Sequence, residues 1–304
     1  MVCLSRENFA VEGKRKGTPC SSLGAMAINE GGFNEAQVIA RLKEIFASSD
    51  PRILLGIGDD AALMDSANQL TISTTELLIE GVHFDLSYTP LQHLGYKIVT
   101  VAVSDIAAMN GIPTQLMVSI GLSNRFSVEA VDELYTGIKS ACEDYQIDLV
   151  GGDTTASPQG LIISITAIGV VDSNQAVTRS KAQPNDVICV SGDFGGALLG
   201  LQSLEREKQV FQVNPHSQPD LEAYSYLIER QLKPEARTDV RTLLHALEII
   251  PTSMIDISDG LSSEVLHLCK ASQVGCHVYD EKLPIDAKTS MVAIDFNLDP
   301  SMCA

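Results

Sequence analysis

The chain has 304 residues, 45% hydrophobic and 20% charged, enough to bury the core of one large domain or two medium ones. Its 39 carboxylates against 21 lysines and arginines leave a net charge of −18. Such a surface repels nucleic acid and anionic membranes, so neither is expected as a partner, and an anionic substrate would need cations between itself and the protein. Seven cysteines without a CxxC pair read as reduced thiols, and no apolar run reaches the roughly 18 residues of a membrane span. A cytoplasmic location is the matching expectation.

Residues 1–30 contain GKRKGTPCSS, with neither an apolar signal core nor helical periodicity, and are expected to be a disordered extension or a translation artefact. From Asn34 to about Ala47, Val38, Ile39, Leu42, Ile45 and Phe46 recur at helical spacing. ILLGIGDDAALMD reads as strand, glycine turn and strand, and LTISTTELLIEGVHF as a further strand running into a loop. Residues 92–110 predict a helix that is apolar nearly all round and therefore buried. QLMVSIGL is a strand, and Ser127 caps an amphipathic helix with the stripe Val128, Val131, Leu134, Ile138, Cys142 and Tyr145. IDLV, ending in Gly151-Gly152-Asp153, and LIISITAIGVV are strands, with antiparallel pairing expected in this half. The polar stretch Asp172–Gln175 marks a boundary between residues 31–172 and 173–304. Beyond it come strand VICV, a glycine-rich turn, helices from about Gly196, around 221–231 and 236–248, the segment SMIDISDGL, and a helix over 261–272.

Four acidic spots share one local grammar: Gly58-Asp59-Asp60, Ser104-Asp105, Gly152-Asp153 and Asp256-Ile257-Ser258-Asp259-Gly260. Asp-Gly and Gly-Asp pairs are common turn chemistry, and Asp259 could simply cap the helix that starts at Leu261. Asp105 is harder to explain that way. It sits in an apolar helix where only Lys97, Thr100 and Ser104 offer polarity nearby in sequence, and an unpaired buried carboxylate is costly. In MIDISDG, strand alternation would put Asp256 and Ser258 on one face as a pair of oxygen ligands. Oxygen ligands without a His/Cys cluster favour Mg²⁺ over zinc. No GxxxxGK[ST] is present, so any use of ATP would proceed without a Walker lysine, and GDFGGALLG misses the GxGxxG spacing.

The segments GIGDDAAL, STTELLIEGVHF, VAVSDIAAMNGIP, LVGGDTT, AVTRSKAQPNDVICVSG and MIDISDGLSSEVLHL occur in this order over roughly residues 33–285. The chain resembles the thiamine-monophosphate kinase family, of the superfamily of aminoimidazole ribonucleotide synthetase. The resemblance implies a two-domain α/β (α+β) fold: an N-terminal sheet that forms a homodimer and binds ATP and metal, and a C-terminal α/β domain, here truncated. It also implies ATP-dependent phosphorylation of thiamine monophosphate to thiamine diphosphate by direct in-line transfer with several Mg²⁺ ions. Carried over by position, Asp60, Thr74, Thr75, Glu76, Asp105, Asp153, Asp256 and Asp259 are implied metal ligands, with Asp256 and Asp259 at the reacting phosphates. Gly152, Asp153, Arg179 and Ser258 are implied ATP contacts, and His83 a contact of the acceptor phosphate. Glu76 departs from the family's aspartate, and Pro184-Asn185-Asp186 from its PGD turn. The family's GGEDYEL segment and a later aromatic that help hold thiamine are missing, so the ATP-and-metal half reads as complete and the acceptor half does not. The alternatives are a non-catalytic MgATP-binding relic and a superfamily relative acting on a purine precursor or selenide.

Overall fold

The computed structural model describes residues 2–5, 39, 43, 45, 50–67, 69–216 and 221–304. Most of the expected helix at Asn34–Ala47 lies outside them, although Ile39, Lys43 and Ile45 are helical. Among the described residues, no helix is long and apolar enough to cross a membrane.

A six-stranded sheet is built from β2 (Ile53–Leu55), β3 (Ala62–Asp65), β4 (Leu70–Ile79), β5 (Ile112–Leu122), β6 (Asp148–Ala156) and β7 (Leu161–Val171). Its order is β2-β3-β4-β7-β5-β6. Pairing is antiparallel throughout except for β5 with β6, which run parallel. The sequence explains which strand lies inside: β7 carries Leu161, Ile163, Ile165, Ala167 and Val171 at every second position, all buried. Together with Ile72, Leu78, Leu116, Val118 and Ile120 they make one apolar face, on which the helices α1 (Leu91–Ala108) and α2 (Val128–Tyr145) lie.

Helix α1 is the buried one that its composition predicts, with Leu94, Ile98, Val99, Ala102, Val103 and Ile106 inaccessible to solvent. Each large aliphatic side chain so buried contributes about 1.5–3 kcal/mol. Helix α2 is half-exposed, and Ser127 caps it by accepting the Ala130 N–H at 3.3 Å. The two helices touch backbone to backbone: a Cβ on Gly95 would lie 2.0 Å from the Leu134 carbonyl, and one on Gly137 1.9 Å from that of Gln92. The opposite sheet face is open, with Thr75, Leu77 and Met117 exposed, and every residue of edge strand β6 is exposed.

The second half packs helices against a small antiparallel sheet of order β8-β1-β9, made by β1 (Val2–Ser5), β8 (Val187–Val190) and β9 (Ser253–Ile255). Val2–Ser5 thus do not behave as a disordered extension. This short apolar, β-prone run takes the middle position and pairs on both sides. The helices α3 (Gly196–Val213), α4 (Ser225–Leu232), α5 (Thr238–Ala246), α6 (Leu261–Ser272) and α7 (Ala287–Asp295) complete this half. Helix α6 packs on the sheet through Leu261, Val265 and Leu268. In contrast, α3, α4 and α7 gather with a last 3₁₀ turn at Pro300–Cys303 around a separate apolar cluster of Leu199, Leu227, Val292 and Ala293. The halves are tied directly: Lys97 Nζ donates to the Gln231 carbonyl at 3.0 Å, and the Ala236 N–H donates to the Tyr145 hydroxyl at 2.9 Å.

Candidate metal centre and active site

Strand β9 ends at Ile255, so the alternation expected through Asp256 and Ser258 gives way to a loop over residues 256–260. Glycine makes that turn possible: Gly260 adopts φ +113, where side-chained residues are strained. The loop is held by Glu264, which is buried in the first turn of α6. Its carboxylate accepts the Asp259 N–H at 3.0 Å and the Ser258 N–H at 3.4 Å. Glu264 is absent from the sequence expectations, and its only local signal is an acidic residue in the first turn of a helix.

The loop delivers Asp256 to α1, where Ser104 Oγ donates to its Oδ2 at 2.9 Å. One residue further along α1, Asp105 faces strand β4, and Thr74 Oγ1 donates to its Oδ2 at 2.7 Å. Asp60 arrives from the turn between β2 and β3. One oxygen of each of Asp60, Asp105 and Asp256 lies within 4.8 Å of the others. Three carboxylates separated in the chain by 45 and 151 residues thus converge on one point, from the β2–β3 turn, a buried helix and the second sheet.

Asp60 is also clamped by Arg179, whose Nη2 and Nε donate at 2.6 and 3.1 Å. Burial nonetheless pushes the Asp60 carboxyl up to about 7, against the pull of Arg179 and helped by Asp256 and Asp59. Burial pushes Asp105 further, to about 9, with Asp256 and Glu76 adding repulsion and the Thr74 hydrogen bond opposing it. One arginine does not neutralise this pocket. A divalent cation on the three oxygens would, and an all-oxygen donor set on carboxylates suits Mg²⁺.

The other residues singled out in the sequence divide by position. Thr74 and Glu76 share the helix-covered side of β4 with the cluster. Thr75 alternates to the open face, donating to the Ile165 carbonyl and accepting from Thr166 Oγ1, so it is not brought to the three carboxylates. Ser258 and Asp259 are exposed at the lip of the loop. His83 is exposed in the turn after β4, where its Nδ1 accepts the Ile79 N–H at 3.0 Å. Gly152 and Asp153 lie on edge strand β6, three strands from β4, outside the cluster within one chain. A side chain at Gly152 would run into the Val118 carbonyl at 1.8 Å, so only glycine fits there. Asp59 accepts the N–H groups of Asp60 and Arg179 and so shapes the turn. A hollow of about 570 Å³ between α2 and β6 is lined by Tyr135, Ile138, Cys142 and Leu149 among others and contains none of the three clustered carboxylates.

Residues 58–171 match the AIR synthase related protein, N-terminal domain. The thiamine-monophosphate kinase of Bacillus subtilis is 35% identical over 232 residues, covering 76% of this chain and 69% of its own. That of Escherichia coli K12 is 34% identical over 256 residues, covering 82% and 73%. The chain belongs to the thiamine-monophosphate kinase family. A solved structure of AaThiL complexed with AMPPCP and TMP superposes with a TM-score of 0.78 at 31% identity, over 89% of this chain and 80% of that one. The crystal structure of the kinase from Aquifex aeolicus gives 0.75 at 30% identity, over 88% and 82%. The six-stranded sheet with its helices is therefore the AIR synthase-like fold of this family.

Proposed function

We infer that this chain transfers the γ-phosphoryl group of ATP to the phosphate of thiamine monophosphate, giving thiamine diphosphate and ADP. The observation that carries this reading is the convergence of Asp60, Asp105 and Asp256 in a chain whose relatives are kinases of that substrate. Both reactants are anions, and an acidic protein cannot bring them together by its own charge. Mg²⁺ held on these carboxylates would supply the positive charge that neutralises and aligns the phosphates for direct in-line displacement.

The chain's own groups serve positioning. Thr74 and Ser104 fix the rotamers of Asp105 and Asp256 through hydrogen bonds, and Glu76 extends the acidic set along β4. Glu264 holds the loop so that Asp259 and Ser258 face the incoming triphosphate. Arg179 lies against Asp60 and would share a phosphate oxygen. His83 would meet the acceptor phosphate. Gly152 and Asp153, on the open edge, would complete the nucleotide side, with Asp153 as a further ligand, and Thr75 would serve on the open face. That face, with exposed Leu77 and Met117, is where a second copy would pair to form a homodimer. A cytoplasmic location accords with reduced cysteines.

The test is ³¹P NMR of the full chain with MgATP and thiamine monophosphate. ADP signals should grow together with those of a new diphosphate ester. Saturable MgATP binding without ADP formation would make the protein a nucleotide-binding relic instead.

A further inference from the structure

A second group of charges, outside the acidic cluster, has no role in this reading. After β8 the chain makes the turn Ser191–Gly196 and enters α3, an 18-residue helix. Its N-cap is Gly195, at φ +82, which offers no side-chain cap, and its first turn has no acidic residue. The free N–H groups and the positive end of the helix dipole therefore open toward this turn.

Two arginines reach the same place from other helices. Arg230 Nη2, from α4, and Arg237 Nη1, at the start of α5, come within 3.6 and 3.5 Å of where a Cβ on Gly192 would stand. Their nitrogens are thus no more than about 7 Å apart, and like charges at that distance repel unless an anion lies between them. Arg237 satisfies Asp239 through Nε and Nη2, which leaves Nη1 for the turn. Arg230 gives one long bond, 3.3 Å, to the Asp193 carbonyl. Gly192 is exposed, so the space over it is reachable from solvent.

An independent observation comes from α7. Thr289 is completely buried, and its Oγ1 points to the first residue of α3, 3.8 Å from the Cβ position of Gly196. That hydroxyl has no hydrogen-bond partner among the described residues. Ser191 Oγ and Asp193 Oδ1, in the same turn, are also buried and unpartnered, while Asp193 Oδ2 accepts the Tyr226 hydroxyl at 2.7 Å. Buried polar atoms are rarely left unsatisfied, and three of them around one turn leave hydrogen-bonding capacity there for a bound polar group.

We propose that the Ser191–Gly196 turn, with Arg230 and Arg237, binds a phosphate-class oxyanion independently of divalent metal. The two guanidinium groups and the helix N-terminus would take its charged oxygens. Asp193 Oδ1 would accept the proton of a hydrogen phosphate, which a sulfate lacks. The phosphate of a phosphorylated substrate and free inorganic phosphate share this chemistry.

The test titrates inorganic phosphate into the full chain in EDTA, where the acidic cluster holds no metal and repels anions. Thermal shift and calorimetry should show one saturable site, with affinity falling about tenfold in Arg230→Gln and again in Arg237→Gln. Thr289→Val removes the orphan hydroxyl at constant shape. It should stabilise the phosphate-free protein while reducing the further stabilisation by phosphate. Absence of saturable binding overturns the proposal, as does equal binding in wild type and Arg230→Gln. So does loss of binding in Arg179→Gln with retention in Arg230→Gln, which would put the anion at Asp60's arginine. Turnover then separates the sources, an arm that rests on the kinase reading. A raised KM for thiamine monophosphate in Arg230→Gln identifies the substrate's phosphate, and lost inhibition by free phosphate at unchanged KM identifies the inorganic ion.

Discussion

Asp105 shows how one residue can cost stability and serve a site. Its neighbours on α1 are packed into the core, yet it carries a carboxyl whose charged form burial opposes. Asp60 and Asp105 titrate near 7 and 9 in the folded protein, against an ordinary value of 3.8. Between the ordinary and raised values the folded chain binds more protons than the unfolded chain, so stability falls as pH rises. In the metal-free protein, the melting temperature should decline from about pH 4 to about pH 9 and then level off with respect to these groups. The amide introduced by Asp105→Asn would resemble the protonated acid. That variant should therefore match wild type only below about pH 4 without metal, exceed it by a growing margin as pH rises toward 9, and lose the Mg²⁺-dependent rise in melting temperature. Thermal melts with EDTA and with Mg²⁺ across pH would check all three. A wild-type metal-free curve that climbs with pH would contradict the burial of these carboxyls.

Among the elements, α1 and α2 pack closely because Gly95 and Gly137 put no atom between the backbones. A methyl on Gly137 must displace the Gln92 carbonyl, which sits 1.9 Å from its Cβ position. Overpacking typically costs about 1–3 kcal/mol, and contact with backbone lies at or above the upper end. Gly137→Ala should lower the unfolding free energy by that amount in urea titration, whereas helix propensity alone predicts a gain. Much of the element order was legible because its signals are local: the all-round apolar run of α1, the Ser127 cap, the alternation in β7. What escaped depends on distant partners. β9 stops at Ile255 because Glu264 captures the N–H groups of Ser258 and Asp259, and alternation cannot reveal that capture. Val2–Ser5 read as part of an unstructured lead, since so short a run becomes a strand only when β8 and β9 offer their edges. Thr75 was grouped with Thr74 by motif, yet strand periodicity alone sends it to the opposite face.

Across the whole molecule, the site exists only because three parts of the fold meet. The four acidic spots were visible in the sequence, since each sets an aspartate beside glycine or within apolar company. Which three would touch was not, because Asp60 and Asp256 are 196 positions apart. Asp153, of the same local grammar, lies on the far edge of the sheet. The same assembly brings Arg230 and Arg237 together at the Ser191–Gly196 turn, so that an acidic chain carries its clustered carboxylates and its clustered arginines in separate places. In the proposed reaction, Asp60, Asp105 and Asp256 would hold the Mg²⁺ that brings ATP and thiamine monophosphate together. The most direct measurement compares ADP formation by wild type and Asp256→Asn over a range of Mg²⁺ concentrations, with circular dichroism as the check on folding. Turnover should fall by about three orders of magnitude in the variant, the several kcal/mol that a lost Lewis acid represents, with the fold unchanged. A correctly folded Asp256→Asn protein that turns over at the wild-type rate, with the same Mg²⁺ dependence, would contradict a role for Asp256 in holding the metal.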